Sequence, residues 1–319
     1  MLANFGKHFF YTFALKSIIL KYYSNGKLLI TGEYLVLDGA KSFALPTKYG
    51  QNLIVDNYEN KILKWKSFNI HNKIWFDCDI ELPSLKLIRT SDNKIAKTLI
   101  SILIEVKNIN NNFLNSSKGL LVKTNLNFEQ NWGLGTSSTL INNIASWAQV
   151  DAFELQFKIF GGSAYDIACA QNDKPIIYQL KNGTPKTETI AFNPEFKNNL
   201  FFIHLNKKQN SRDAIKSYKE NKIDKTQLIF EISDITNQII SANSLSKFKN
   251  LIKIHENLIS KVIGIEPIKK RLFKDYSGEI KSLGAWGGDF ILAAGDDNTI
   301  EYFNKKGFKT VIPYNKIIL

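Results

Sequence analysis

The chain has 319 residues, 44% hydrophobic and 22% charged, with a formal net charge of +13. This is the profile of a globular protein with room for one large domain or two ordinary ones, and it excludes a disordered or membrane-embedded class. The lysines behind the charge are scattered, with no basic run interleaved with aromatics, so no nucleic-acid partner is expected, whereas a basic cleft for a polyanionic small molecule fits.

Phe9 to Leu20 is mostly apolar but interrupted by Lys16 and too short to span a bilayer, and Lys21-Tyr22-Tyr23 offers no small-residue cleavage site. Residues 1–20 therefore read as an extension, and no membrane association is expected. Lys27 to Ile30 reads as a buried strand, broken at Thr31-Gly32-Glu33-Tyr34, with a turn at Asp38-Gly39. Phe43 to Pro46, Gln51 to Val55, Ile62 to Trp65 and Ile74 to Cys78 predict further strands at hairpin spacing. Ile95, Leu99, Ile102 and Leu103 have helical spacing within Lys94 to Val106, and Gly119 to Thr124 is a strand. A helix then runs to about Val150, a short one spans Phe153 to Phe160, an apolar run crosses Ala164 to Ala170, and Pro175 to Leu180 is a strand.

After Asn193-Pro194 the character changes. Leu200 to Leu205 is a strand, followed by helices at Ser211 to Tyr218, Lys225 to Ile240, Leu245 to Ile263 and Ile265 to Phe273. Phe290 to Ala294 is a strand, Ile300 to Lys306 a helix, and Lys309 to Ile312 a last strand. The fold class is α+β, with a boundary near Asn193 and a ferredoxin-like order in the second half. The expected division is 21–193 and 194–319.

The two cysteines, Cys78 and Cys169, lack CxxC spacing, so neither a zinc site nor a disulfide framework is suggested, and a cytoplasmic protein with reduced thiols is expected. His8, His71, His204 and His255 form neither an HExxH pair nor a cluster, which argues against a histidine-based metal site or triad. The most chemically suggestive stretch is Gly133-Leu134-Gly135-Thr136-Ser137-Ser138-Thr139, leading into an apolar helix. Glycines let backbone N–H groups approach a ligand, and the start of a helix favours an anion. The same residues also suit an ordinary capped helix after a turn. The stretch is neither a Walker A loop nor G-x-G-x-x-G.

Taken with two other stretches, in chain order, this loop resembles the motifs of the GHMP kinases, named for galactokinase, homoserine kinase, mevalonate kinase and phosphomevalonate kinase. Gly26, Lys27, Leu29, Gly32, Glu33 and Tyr34 match the first motif, roughly P-G-K-hydrophobic-L-hydrophobic-G-E-[YH]. Gly133, Leu134, Gly135, Ser137 and Ser138 match P-x-x-x-G-L-G-S-S-A, and Gly284, Ala285, Gly287 and Gly288 match G-A-G-G-G. Gly161 to Ala170, through Asp166, resembles the segment holding the family's aspartate and is close to the bacterial "GYDIA" group, with Ala164 in place of its glycine. Asp289 is similar to the G-G-G-D ending of phosphomevalonate kinases.

The resemblance implies a two-domain fold, with a first domain like one seen in a ribosomal protein and a ferredoxin-like second domain. It implies an ATP- and Mg²⁺-dependent kinase acting on a small-molecule acceptor, phosphomevalonate or mevalonate, as a monomer or homodimer. Gly133, Leu134, Gly135, Thr136, Ser137 and Ser138 would hold the ATP phosphates, with Ser138 and Glu154 as Mg²⁺ ligands. Asp166 would take or orient the acceptor's proton, and Lys27 would neutralise developing charge. Glu33, Tyr34, Ser211 and Arg212 would face the acceptor. The rival readings are a mevalonate diphosphate decarboxylase-like enzyme and an inactive GHMP-fold metabolite-binding protein. The sequence departs from the family pattern at Asn25 and Glu129, which replace prolines, at Thr136 and Thr139, and at Trp286, a bulky indole where the third motif has glycine.

Overall fold

The structure is a computed structural model and describes residues 19–116, 118–207, 218, 220, 224–286 and 288–319. Its first half is built on β1 (Leu20–Thr31) and the 17-residue β2 (Ser42–Tyr58), antiparallel partners with Leu29 opposite Ala44. β3 (Ile62–Phe68), β4 (Ile74–Glu81), β5 (Leu87–Thr90), β6 (Gly119–Leu126), β7 (Ile176–Lys181) and β8 (Thr184–Thr189) complete the sheet. Its order is β5-β4-β3-β6-β2-β7-β8, with β1 on the other side of β2. Only the β3–β6 pair is parallel. In β3, Leu63, Trp65 and Ser67 are buried while the residues between them are partly exposed, the period-two pattern of a sheet with one covered face.

That face carries α1 (Asn93–Ile109), α2 (Thr136–Ala148), α3 (Ala152–Ile159) and α4 (Tyr165–Gln171). Asp92 caps α1 and Asp151 caps α3, each carboxylate accepting from two backbone N–H groups. Trp65, Phe76, Ile102, Leu103, Val122, Ile144 and Leu155 form the core between sheet and helices.

The second half contains β9 (Leu200–His204), α5 (Thr226–Ile240), α6 (Leu245–Ile263), α7 (Ile268–Leu272), β10 (Glu279–Ser282), β11 (Phe290–Ala294), α8 (Thr299–Lys305), β12 (Val311–Pro313) and α9 (Tyr314–Ile317). Its sheet is antiparallel in the order β10-β11-β9-β12, with helices after β9 and β11, which is the ferredoxin-like arrangement. One apolar cluster joins the halves: Leu28, Phe43 and Leu45 from the first pack with Phe202, Phe248, Leu292 and Tyr314 from the second. No helix among the described residues is long and apolar enough to cross a membrane.

The sequence expectations change at two places. The strands predicted at Phe43 to Pro46 and Gln51 to Val55 are one strand, since Pro46 sits opposite Lys27 beside an irregularity in register instead of ending β2. The edge strands β5 and β8 have no counterpart in the sequence reading. β8 is largely exposed and polar, so its register with β7 defines it rather than an apolar pattern. All but Tyr218 of the helix predicted at Ser211 to Tyr218, and nearly all of the 1–20 extension, lie outside the described residues.

Trp286 is 2% exposed and belongs to a cluster with Tyr34, Leu35, Ala40, Tyr218, Ile232, Ile259 and Val262. Its backbone lies at φ +61°, a region that L side chains enter at a cost. The indole has been accommodated as a core side chain and offsets that cost by burial. Trp286→Ala is therefore expected to lower stability by ~3–5 kcal/mol, read from urea unfolding. Trp286→Gly removes the same packing but frees the backbone, so it should be more stable than Trp286→Ala by about 1 kcal/mol.

Candidate phosphate-binding and transfer site

β1 brings Lys27 onto the glycine loop. Lys27 N–H donates to the Leu134 carbonyl at 3.0 Å, and Nζ donates to the Gly133 carbonyl at 2.9 Å. Gly135, at φ +95°, precedes α2, and no side chain caps that helix. The helical ladder begins with Thr139 N–H donating to the Gly135 carbonyl at 2.9 Å. The N–H groups of Thr136, Ser137 and Ser138 thus precede the ladder at the positive end of a 13-residue helix. A Cβ on Gly135 would lie 2.7 Å from Ser138 Oγ. Gly133, at φ +66°, has no space for one either, since it would lie 2.5 Å from the Asp289 carboxyl carbon. Asp289 reaches the loop from the second half, where its carbonyl accepts from Leu205 N–H at 2.8 Å and its N–H donates to the Lys207 carbonyl at 2.7 Å.

Asp166 arrives on the first turn of α4, a helix whose Ile167, Ala168, Cys169 and Ala170 are buried. One of its carboxylate oxygens accepts from Ile167 N–H at 3.2 Å. The Ser138 hydroxyl donates to the Gly135 carbonyl at 2.9 Å and stands near enough to Asp166 to pull its carboxyl downward. Lys27 Nζ stands 5.7 Å from the centre of the Tyr165 ring. The structure thus brings Lys27, Gly133, Leu134, Gly135, Thr136, Ser137, Ser138 and Asp166 into one place from three separate segments.

Burial depresses the Lys27 pKa, but Tyr165, Asp166 and Asp289 outweigh it, and the net shift is upward. Lys27 therefore remains an ammonium at neutral pH. Burial raises the Asp166 carboxyl, against the opposing pull of Lys27, of its own and Ile167's N–H groups and of the Ser138 hydroxyl. A carboxyl shifted upward beside a fixed ammonium is better suited to hold a proton than an exposed aspartate. No group of three or more His, Cys, Asp or Glu side chains among the described residues is arranged to hold a metal by itself. Mg²⁺ usually keeps waters and substrate phosphate oxygens, so one hydroxyl and one carboxylate suffice from the protein. Ser138 and Asp166 fit that requirement, and the uncapped start of α2 fits a phosphate.

No family model and no curated protein matches the sequence. Solved structures do match. A Streptococcus pneumoniae phosphomevalonate kinase in complex with phosphomevalonate and AMPPNP aligns with a TM-score of 0.67 at 14% identity, over 90% of this chain and 95% of that one. A Methanococcus jannaschii mevalonate kinase aligns at 0.64 and 15% identity, over 92% of this chain and 95% of that one. A Legionella pneumophila mevalonate diphosphate decarboxylase aligns at 0.57 and 12% identity, over 92% of this chain and all 100% of that one. The chain has the GHMP kinase fold.

Within this fold, other expected site residues have different surroundings. Glu33, expected to face the acceptor, is 1% exposed and forms an ion pair with the fully buried Lys281 of β10. Its second oxygen lies 3.5 Å from His255 Nε2 of α6. His255 Nε2 accepts from Gly32 N–H at 3.0 Å, which puts the ring proton on Nδ1. Glu256, also on α6, accepts from Ser282 N–H at 3.0 Å and from the Ser282 hydroxyl at 2.6 Å. Glu33 thus ties the first motif to the strand that leads into the third, shielded from solvent. The Tyr34 hydroxyl does similar work, donating to the Ala285 carbonyl at 2.9 Å. Glu154 is about half exposed and pairs with Lys158 at 3.0 Å, while Lys158 also pairs with Glu105 of α1 at 2.9 Å. Its carboxylate is thereby engaged on the outer side of α3. Ser211 and Arg212 lie outside the described residues.

Lys281, His255 and Glu256 escaped the sequence reading because nothing distinguishes them there from ordinary charged positions on a strand and a helix. Burial pushes the Glu256 carboxyl up to about 7 despite the nearby Lys281. Between its unfolded value near 4.5 and about 7, the folded state holds a proton that the unfolded state has lost. Its contribution to stability is therefore full at low pH and declines as pH rises through that window. His255, held neutral chiefly by burial and then by Lys281, acts oppositely: its contribution is lost as pH falls below 6.5. Comparing a single variant with wild type cancels the histidine. Glu256→Gln should gain stability relative to wild type as pH is raised from about 5.5 to 8, followed by urea midpoints. Parallel profiles would contradict the assignment.

Proposed function

We propose that the chain is an ATP-dependent small-molecule kinase that passes the γ-phosphoryl group of Mg·ATP to phosphomevalonate or mevalonate. The observation that carries this reading is the convergence of Lys27, Ser138 and Asp166 on the uncapped start of α2. The phosphomevalonate and AMPPNP bound by the S. pneumoniae neighbour support the acceptor and the nucleotide. We take 21–193 as the nucleotide-binding unit and 194–319 as the unit that completes the acceptor side, in a cytoplasmic enzyme.

When bound, Mg·ATP supplies the phosphoryl group and the metal's charge. The protein's part is positioning and charge stabilisation, which is what phosphoryl transfer chiefly needs. The N–H groups of Thr136, Ser137 and Ser138 hold phosphate oxygens, and Gly133 and Gly135 let the backbone come close enough. The Ser138 hydroxyl and the Asp166 carboxylate offer oxygens to Mg²⁺. Lys27 leaves the Gly133 carbonyl for the phosphate charge that builds up in transfer. Asp166 takes the proton of an alcohol acceptor. If the acceptor is a phosphate, already largely ionised at neutral pH, Asp166 orients it instead.

The test is ADP release with Mg·ATP and mevalonate, 5-phosphomevalonate or 5-diphosphomevalonate offered separately. Turnover with one of the first two is expected, falling by ~10²–10⁴-fold in Asp166→Ala. Lys27→Met should fall by a comparable factor while the fold is retained. CO₂ release from the diphosphate would move the protein to the decarboxylase reading, and nucleotide binding without turnover of any acceptor would make it a binding protein.

A further inference from the structure

Beneath the transfer site lies a run of buried amides and hydroxyls that the chemistry above does not use. Ser24, Gln51, Thr139, Asn142 and Asn143 are all buried, on β1, β2 and α2. The Ser24 hydroxyl donates to Asn143 Oδ1 at 2.8 Å and accepts from Asn142 Nδ2 at 2.9 Å. Asn142 Oδ1 accepts from Gln171 Nε2, at the end of α4, at 3.1 Å. Asn143 Nδ2 donates to the Gln51 carbonyl at 2.9 Å. The Thr139 hydroxyl lies 2.9 Å from Gln51 Oε1 and 3.0 Å from the Gly135 carbonyl. The donors from Gln171 through Asn142, Ser24 and Asn143 to Gln51 all point the same way, so each bond polarises the next. Beside them, Asn25 Nδ2 donates to the Asn172 carbonyl, just past α4, at 2.8 Å. Asn25 is the residue that stands where the first motif of the resembling family has proline.

The three segments joined in this way are the ones that carry the reacting groups. Ser24 and Asn25 precede Lys27 on β1, Thr139 follows Ser138 on α2, and Gln171 ends the helix whose first turn carries Asp166. Apolar packing at these contacts would allow small slides along the interface, whereas hydrogen bonds with both partners buried fix one register. Resting on the kinase reading, we infer that the Ser24-centred network sets the spacing of Lys27, Ser138 and Asp166, and that Ser24, Asn142 and Asn143 are positioning residues for transfer.

Asn142→Leu keeps the side chain's bulk but deprives Ser24 and Gln171 of a partner, and Ser24→Ala removes the hub with a smaller change of shape. Two readouts are taken on the full chain. The first is steady-state kinetics with the best acceptor. Displacing reacting groups by a fraction of an ångström should lower kcat about 10- to 100-fold while KM for ATP and acceptor stays within about 2-fold. The second needs no turnover: backbone hydrogen exchange in both variants. Exchange should quicken at the start of α2 and along α4, while β9 to β12 keep wild-type protection. Should wild type turn over no acceptor, the kinase reading fails, and the exchange pattern alone decides whether the network holds the three segments. Variants that lose melting temperature but keep kcat, or whose exchange quickens evenly along the chain, would overturn the positioning role.

Discussion

The arrangement depends on one cation being anchored to one loop. Lys27 is bound to the glycine loop twice, through its backbone N–H and through its ammonium group. The loop, in turn, can only present unpaired N–H groups because it ends in an uncapped helix. A loop carbonyl is a weak partner for an ammonium compared with a phosphate, so Lys27 is stabilised without being used up. Asp166 and Asp289 keep it charged from opposite halves of the chain. β1 must therefore hold its register against β2 while running beside α2 and α4, and it has both apolar and polar means of doing so.

The second constraint is the buried charge between the halves. Glu33 and Lys281 are both removed from water, an arrangement that contributes little net stability but makes the loss of either partner costly, ~3–5 kcal/mol. Its value is geometric. The turn after β1 and the third motif after β10 are held at a fixed separation, and Tyr34 reinforces this through Ala285. The loop that ends at Asp289 can then reach Gly133 with no room to spare. Trp286, the least expected residue of that loop, lies in the neighbouring apolar cluster.

Much of this was legible in the sequence because local chemistry dictated it. Gly133 and Gly135 stand where backbone geometry leaves few alternatives, and the helix spacing of Leu99, Ile102 and Leu103 emerges as α1. Lys27, Ser138 and Asp166 were recognisable by motif, and their meeting follows from the topology. What could not be read were features created by tertiary contact. Lys281 is buried beside Glu33 of the turn after β1 and Glu256 of α6, partners that lie far from it in sequence. Asn142 and Asn143 look like breaks in an apolar helix face until Ser24 and Gln51 are placed beneath them. Glu154, a Mg²⁺ ligand by analogy, pairs with Lys158, and Glu33, expected to face the acceptor, pairs with Lys281.

A crystal structure of the chain grown with Mg·AMPPNP tests most directly whether the start of α2 holds a nucleoside triphosphate under Lys27. The triphosphate is expected along Gly133 to Ser138, with Lys27 Nζ moved from the Gly133 carbonyl onto a phosphate oxygen and Asp166 facing the terminal phosphate. A nucleotide seated elsewhere, or a loop that keeps Lys27 on Gly133 at saturating Mg·AMPPNP, would contradict it.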